Sequence, residues 1–176
     1  GDWGQLHEIG HGYQAGFDSK GMYTGEVFNN LYGVQYQYNL YGKNADKLGW
    51  LFDYGHKESV ENGLYTSLIE KNGSYHSVGL REKLVFLSLL RQKAGNEALT
   101  KLYQGHRVLA NQNGYNSDDY MLQDLFNQYY SEYCHLDFTP VLEKWGLQLE
   151  PKQGSINRIK GYPAVSSLAQ VVPKDK

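Results

Sequence analysis

The sequence has little cysteine, no excess of basic charge and no long apolar run. Cys134 is the only cysteine among 176 residues, which excludes an intrachain disulfide and a zinc site built from a cluster of thiolates. The formal net charge is −2 and Lys and Arg are scattered, so the basic surface typical of nucleic-acid-binding proteins is missing. No apolar stretch approaches the roughly 20 residues that cross a bilayer, and no charged-then-apolar leader opens the sequence. We therefore expect a soluble chain with no nucleic-acid partner and no membrane span.

Helical periodicity dominates what is present, and the length suits one compact domain. The apolar spacing predicts a buried central helix over residues 78–90. Proline at position 140 and glycine at position 146 predict the start and the stop of a last helix. Three of the four prolines lie from residue 151 onward, so we expect residues 151–176 to form an irregular extension. The other predicted helical segments are 3–14, 25–41 with Thr24 as N-cap, 44–54, 59–70, 97–110, and 118–133 with Ser117 as N-cap.

The segment GQLHEIGHGYQ, residues 4–14, contains two histidines spaced by four with a glutamate after the first. On a helix His7 and His11 lie one turn apart on the same face, so both imidazoles can bind one metal ion. Glu8 lies beside the first ligand, where its carboxylate can hold a water molecule and take its proton. This is the general-base role of the glutamate in H-E-x-x-H zinc hydrolases.

A catalytic zinc site needs a third protein ligand and one open position for water. Glu26 is the candidate, because it lies at the start of the next predicted helix. An antiparallel return of that helix would bring the carboxylate over the histidine pair. Asn30, one turn further on, shares its face and can hydrogen-bond a ligand histidine or Glu26.

These residues resemble the gluzincin metallopeptidases, in which a glutamate is the third zinc ligand. Within that group the pattern WGQLHEIGHGYQ of residues 3–14 is similar to the signature of the enhancin-type peptidases, which include mucin- and O-glycoprotein-degrading enzymes. The likeness continues in Gly25-Glu26-Val27 with Asn30, and in LDFTPVLEKWGL, residues 136–147. It covers residues 3–150. One departure is Asn30, where thermolysin-like relatives commonly carry an aspartate, and we expect it to tune the metal without abolishing its binding.

The resemblance implies a zinc metalloendopeptidase with an extracellular or cell-surface location and a protein or glycoprotein substrate such as mucin. It also implies that residues 1–150 are the helical C-terminal part of a gluzincin-like catalytic domain. The strand-rich N-terminal half, whose edge strand pairs with the substrate in gluzincins, is absent from this sequence. Because substrate positioning is a large share of catalysis, the chain can bind zinc and still be a weak peptidase by itself.

The remaining candidate residues are less specific. Tyr115 and Tyr120 are candidates for stabilising the oxyanion, although any of sixteen tyrosines can supply that hydroxyl. Trp145 is interpreted as a core anchor rather than a substrate platform. Arg81 and Arg107 are equally compatible with ligand binding and with solvated helix faces. Four histidines are interpreted as surface or turn residues: His56, His76, His106 and His135.

The sequence therefore predicts that His7, His11 and Glu26 bind zinc and that Glu8 activates a water molecule for attack on a peptide bond. The rival hypothesis is a glycan- or glycoprotein-binding module, in which zinc is structural and aromatic side chains bind the ligand. A third hypothesis is an inactive fragment that retains affinity for zinc alone.

Overall fold

The computed structural model describes residue 19 and residues 21–116 and 121–165, and for residues 25–29, 32, 69 and 96 it describes only the backbone. Short 3-10 turns occupy Gly42–Asn44 and Tyr75–Ser77. Within this part of the chain β-structure is limited to two isolated bridges, which confirms the predicted mainly α fold. The helices are α1 (Gly25–Tyr41), α2 (Ala45–Leu48), α3 (Lys57–Tyr65, extended by a π-helical turn over Thr66–Glu70), α4 (Leu80–Ala94), α5 (Asn96–Ala110), α6 (Leu122–Cys134), α7 (Thr139–Lys144) and α8 (Pro151–Ile159).

Helix α4 is the central helix and packs against α1, α5 and α6. Leu84, Val85, Phe86 and Leu87 are consecutive and all buried, so α4 is covered on more than one face, as expected for a helix inside a core. The ring of Phe86 stacks on that of Trp145 with the centroids 3.6 Å apart. The predictions of a buried central helix and of Trp145 as a core anchor are both confirmed.

The helices next to the candidate site and at the last sequence motif follow the prediction closely. Helix α1 has the predicted bounds, with Thr24 in the N-cap position but without a side-chain capping hydrogen bond. Helix α7 carries Pro140 in its first turn. Gly146 follows it at φ 75°, in the left-handed region that favours glycine. A Cβ atom there would lie 2.6 Å from the Cβ of Ser74, so only glycine fits this helix stop.

Two other segments differ from the prediction. Helix α6 begins at Leu122 and not at residue 118, because Met121 has an extended backbone with φ −70° and ψ 123°. The predicted N-cap Ser117 lies outside the described residues. The predicted helical piece over 44–54 is limited to the four residues of α2, and turns follow it. Asp53 and Tyr54 there have positive φ angles, which end any helix.

The prediction of an irregular tail from residue 151 is wrong for residues 151–159. These residues form α8, which packs against α6. Pro151 lies in the first turn of the helix, where its missing N–H removes no hydrogen bond. Proline here starts a helix rather than preventing one. The proposed boundary at residue 150 stays a prediction, although α8 packs on the same body as the preceding helices.

Five buried polar side chains lie where α6, α7, α8 and the α6–α7 connection meet. We call them the polar cluster: Asn127, Ser131, Asp137, Thr139 and Asn157. The Asp137 carboxylate accepts hydrogen bonds from Asn157 Nδ2 at 2.8 Å and from the Thr139 backbone N–H at 3.0 Å. Asn127 Nδ2 donates to Thr139 Oγ1 at 2.8 Å, and Ser131 Oγ donates to Asn127 Oδ1 at 2.9 Å. The cluster ties α8 to the segment over residues 136–147 and satisfies polar groups that would otherwise destabilise the interior.

None of the helices in the described part of the chain combines the length and the apolar character needed to cross a membrane.

Candidate active site

The structure describes one of the four predicted active-site residues, and only by its backbone. Glu26 lies in the first turn of α1. His7, Glu8 and His11, together with the helix predicted over 3–14, lie outside the described residues. The predicted three-ligand zinc site therefore stays a prediction, and the geometry that bears on it is that of the segment leading into α1.

The backbone just before Glu26 is held at several points. Ser19 and Met22 exchange two backbone hydrogen bonds of 3.4 and 3.1 Å. Ser19 Oγ accepts a hydrogen bond from the Leu122 backbone N–H at 2.9 Å, which ties this segment to the start of α6. Tyr75 Oη donates to the carbonyl oxygen of Tyr23 at 2.9 Å. The first turn of α1 therefore starts from a fixed backbone, which is what a metal-binding or catalytic carboxylate requires.

Asn30 lies one turn after Glu26 on α1 and is 3% exposed. Its burial places the amide on the inner side of the helix. The predicted hydrogen bond from Asn30 to a ligand histidine or to Glu26 involves side chains outside the described set and stays a prediction.

The histidines outside the motif match their interpretation in three cases of four. His56, His76 and His135 are exposed. His135 ends α6 in the left-handed conformation and stacks on Tyr162 with centroids 5.2 Å apart. His106 was interpreted as a surface or turn residue, and this is wrong, because it lies within α5 and is 7% exposed. Among the residues that the structure describes, no group of three or more His, Cys, Asp or Glu side chains is arranged to bind a metal.

The other candidates are constrained by their contacts. Tyr115 Oη lies 3.4 Å from Nε2 of the buried His106, and Tyr120 lies outside the described residues. The guanidinium of Arg81 lies over the Trp50 ring at 4.5 Å and within 3.4 Å of an Asp53 carboxylate oxygen. These contacts give Arg81 a structural role, whereas Arg107 is exposed.

A cavity of about 600 Å³ opens beside the segment that precedes Glu26. We call it the first cavity. Sequence reasoning missed it, because the residues that line it come from separate parts of the chain. Burial is the main reason that the pKa of Asp124 is raised above its ordinary value; the backbone hydrogen bond from Glu150 opposes this, and the negative charge of Glu150 adds to it. The polar residues lining the cavity are His76, Gln123, Asp124, Gln148 and Glu150.

A family model described as Peptidase M60, enhancin and enhancin-like, matches residues 1–146. No curated protein and no solved structure matches the chain. The match covers most of the 176 residues. The chain belongs to the M60 peptidase family. The resemblance stated from the residues is thereby confirmed, and so is the assignment as a peptidase at the level of the family.

The range that matches the enhancin-like peptidases contains the H-E-x-x-H segment and Glu26, and it ends at Gly146, the residue that stops α7. Helix α8 lies beyond it, yet α8 contributes Asn157 to the polar cluster. The packed unit of this enhancin-like peptidase therefore extends past the family match.

Proposed function

We propose that the chain is the zinc-binding part of a metallopeptidase that hydrolyses peptide bonds in glycoproteins such as mucins. His7, His11 and Glu26 are the proposed zinc ligands, and Glu8 is the proposed general base. The observation that carries the proposal is the family match over residues 1–146, which contains these four residues at the spacing that a gluzincin site requires. By the same resemblance we propose an extracellular or cell-surface location.

The proposed donor set suits zinc. Two imidazoles and one carboxylate are a common ligand set of catalytic zinc, and they leave one position open. The first turn of α1, which carries Glu26, starts from a backbone fixed to α6 and to Tyr75. The described part of the chain offers no rival group of metal ligands.

Bound zinc would supply a Lewis acid for the peptide carbonyl and lower the pKa of a water molecule. The chain's own residues do the remaining work. The Glu8 carboxylate accepts the proton of the attacking water and then donates it to the leaving amine. In the predicted helix over residues 3–14, Glu8 directly follows His7, and this spacing would keep its carboxylate next to the zinc site without making it a ligand.

The experiment that tests the proposal measures zinc by elemental analysis together with cleavage of a mucin. We expect about one zinc per chain in the parent and in Glu8→Gln, and loss of zinc in His11→Ala and Glu26→Ala. Glu8→Gln should lower the rate of mucin cleavage by about 10²- to 10⁴-fold while the zinc stays bound. His56→Ala and Glu58→Gln are matched controls, because both side chains are exposed.

Three results would contradict the proposal. Zinc that persists in Glu26→Ala would show that Glu26 is not a ligand. A parent without zinc would exclude the site in this chain. Mucin binding without cleavage, with no effect of Glu8→Gln on any measured activity, would favour the glycoprotein-binding module.

A further inference from the structure

The first cavity presents hydrogen-bond acceptors and negative charge. The carboxylates of Asp124 and Glu150 both line it, and among the described residues on its wall there is no Lys or Arg. The backbone N–H of Glu150 donates to Asp124 Oδ1 at 2.9 Å. This bond fixes one oxygen of the Asp124 carboxylate and the backbone of Glu150 at the cavity wall. The raised pKa of Asp124 fits a group that lacks a cationic neighbour.

Gln123 adds an independent sign that a hydrogen-bond donor is missing. It lines the same cavity and is 2% exposed. Its Nε2 donates to the carbonyl oxygen of Gln148 at 3.0 Å, and this bond fixes the orientation of the amide. Oε1 is buried and accepts no hydrogen bond within the described structure. A buried acceptor left unpaired destabilises a protein, so its retention points to a ligand that donates.

The lining of the first cavity favours an organic cation over a metal ion. The His and carboxylate groups of the wall are not close enough to one another to form a metal site in the described part of the chain. Apolar side chains of Met121 and Leu149 also line the cavity. An aliphatic stem can pack on them while its charged end meets the carboxylates, as lysine and arginine side chains do.

A second cavity of about 760 Å³ shares Asp124 and Glu150 but has a different charge balance. Lys152 and Lys160 line it, and Lys160 Nζ lies 2.7 Å from a carboxylate oxygen of Glu132. The second cavity therefore already has positive charges of the chain on its wall. Among the described residues no Lys or Arg lines the first cavity, so the two shared carboxylates meet no cation of the chain on that side.

Its place in the fold connects the cavity to the proposed active site. Gly21 lines it and belongs to the segment that leads into the first turn of α1. A Cβ atom on Gly21 would lie 2.1 Å from Gln123 Nε2, so the backbone of this segment packs directly on the amide. A ligand in the cavity therefore lies against the chain that positions Glu26.

We propose that the first cavity is a binding site for an ammonium or guanidinium group, and that its occupant is a lysine or arginine side chain of the polypeptide substrate. The assignment to a substrate residue rests on the proposed peptidase function. Asp124 and Glu150 supply the charge, and Gln123 Oε1 accepts a hydrogen bond. These three residues then determine specificity without taking part in bond cleavage.

The test uses Nα-acetyl-arginine amide and Nα-acetyl-lysine amide as probes, with the neutral citrulline and norleucine amides as isosteres. Binding to the full chain is measured by calorimetry and by the NMR shift of the Gln123 side-chain amide, with and without a zinc chelator. We expect the charged probes to bind about tenfold or more tightly than their isosteres. Asp124→Asn and Glu150→Gln should each weaken the charged probes about three- to tenfold and leave the neutral ones unchanged.

The variants are chosen to remain folded. Asp124→Asn keeps an oxygen that can accept from the Glu150 backbone N–H, and Glu150 is exposed. Glu58→Gln is the matched control, because Glu58 is an exposed carboxylate that does not line the cavity. It should not change the binding of any probe.

Equal binding of arginine and citrulline amides would overturn the proposal, and so would binding that leaves the Gln123 amide shift unchanged. A shift caused by methyl galactoside, with none caused by the amines, would show that the cavity takes sugar hydroxyls instead. Probe binding in a chain that holds no zinc would support the cation site while the peptidase proposal fails. Zinc-dependent cleavage without probe binding would support the peptidase and exclude the cation site.

Discussion

Two buried side-chain amides on α6 lie one turn apart and differ in their hydrogen bonding. Asn127 is fully buried, and both ends of its amide are paired, with Thr139 and with Ser131. Gln123 is almost as buried, but only its Nε2 is paired, with the Gln148 carbonyl oxygen. Paired polar groups fix one packing arrangement of α6, α7 and α8, whereas the unpaired acceptor lies at a cavity that has room for a ligand. The same helix therefore serves the scaffold at one turn and a binding surface at the next.

Of the changes proposed here, removal of α8 should lower the free energy of unfolding most. A chain that ends at residue 150 loses Asn157, and with it the hydrogen bond that the buried Asp137 carboxylate accepts at 2.8 Å. It also loses the packing of α8 on α6. We expect the free energy of unfolding to fall by about 4 kcal/mol or more, because a buried charge is left under-compensated and a helix face is exposed.

Urea denaturation followed by circular dichroism measures this change. A chain that ends at residue 165 keeps α8 and the buried Val165, and it separates the contribution of residues 151–165 from that of the later residues. If both truncated chains unfold at the parent's midpoint, α8 is not part of the scaffold and the family match at residue 146 marks the true end of the unit.

The two amides can be compared directly by replacing each with an apolar side chain of similar length. Asn127→Leu removes the hydrogen bonds of the amide with Thr139 Oγ1 and Ser131 Oγ, and it leaves the Ser131 hydroxyl without its acceptor in the buried cluster. We expect it to lower the free energy of unfolding by about 3 kcal/mol. Gln123→Met loses one hydrogen bond but also removes an unpaired buried acceptor, so its effect should stay within about 1 kcal/mol.

The same urea denaturation experiment measures the free energy of unfolding of both variants. Equal losses for Asn127→Leu and Gln123→Met would mean that the Gln123 amide is as much a part of the scaffold as Asn127. That result would remove the distinction between the two turns of α6.

What the sequence could predict depended on local chemistry. Helix α1 has the predicted bounds, and α7 stops where Gly146 was expected to stop it, because proline and glycine act through their own backbone preferences. The H-E-x-x-H spacing and the placement of Glu26 are local in the same sense. They allowed the family to be identified from the residues, although the structure describes only the backbone of Glu26.

What the sequence could not predict depends on contacts between distant residues. Helix α8 was missed because proline was interpreted as a breaker, and only the partners of Asn157 on other elements explain why the segment folds. His106 looked like a surface histidine, but the packing of α5 buries it. The first cavity joins residue 21 to residues 76, 123 and 150, and no spacing along the chain indicates such a meeting.

The smallest predicted effect concerns two carboxylates of α6 whose pKa values should be shifted in opposite directions. The hydrogen bond from Lys160 is the main reason that the pKa of Glu132 is lowered from its ordinary value of 4.5. Burial is the main reason that the pKa of Asp124 is raised from its ordinary value of 3.8. Carboxyl ¹³C NMR titration of the full chain should place Glu132 below and Asp124 above these values.

The two shifts have opposite consequences for stability. The depressed pKa of Glu132 adds stability above its unfolded pKa, and that stability is lost as the pH falls through the folded pKa. The raised pKa of Asp124 adds stability below its unfolded pKa, and this is lost as the pH rises through the folded value. Glu132→Gln should therefore be less stable than the parent near pH 7 and approach it at acid pH, while Asp124→Asn should gain on the parent as the pH rises from about 3 to about 6.

Both stability effects should be smaller than that of Asn127→Leu, because the Glu132 and Lys160 side chains are 33% and 48% exposed and solvent screens their attraction. The Asp124 titration also bears on the cation site. Nα-acetyl-arginine amide should return the pKa of Asp124 toward its ordinary value, because a nearby cation favours the charged carboxylate. It should leave Glu132 unchanged, because Lys160 already supplies the positive charge there. A probe that moves both pKa values equally would indicate general screening, and the two turns of α6 would then not differ in what they bind.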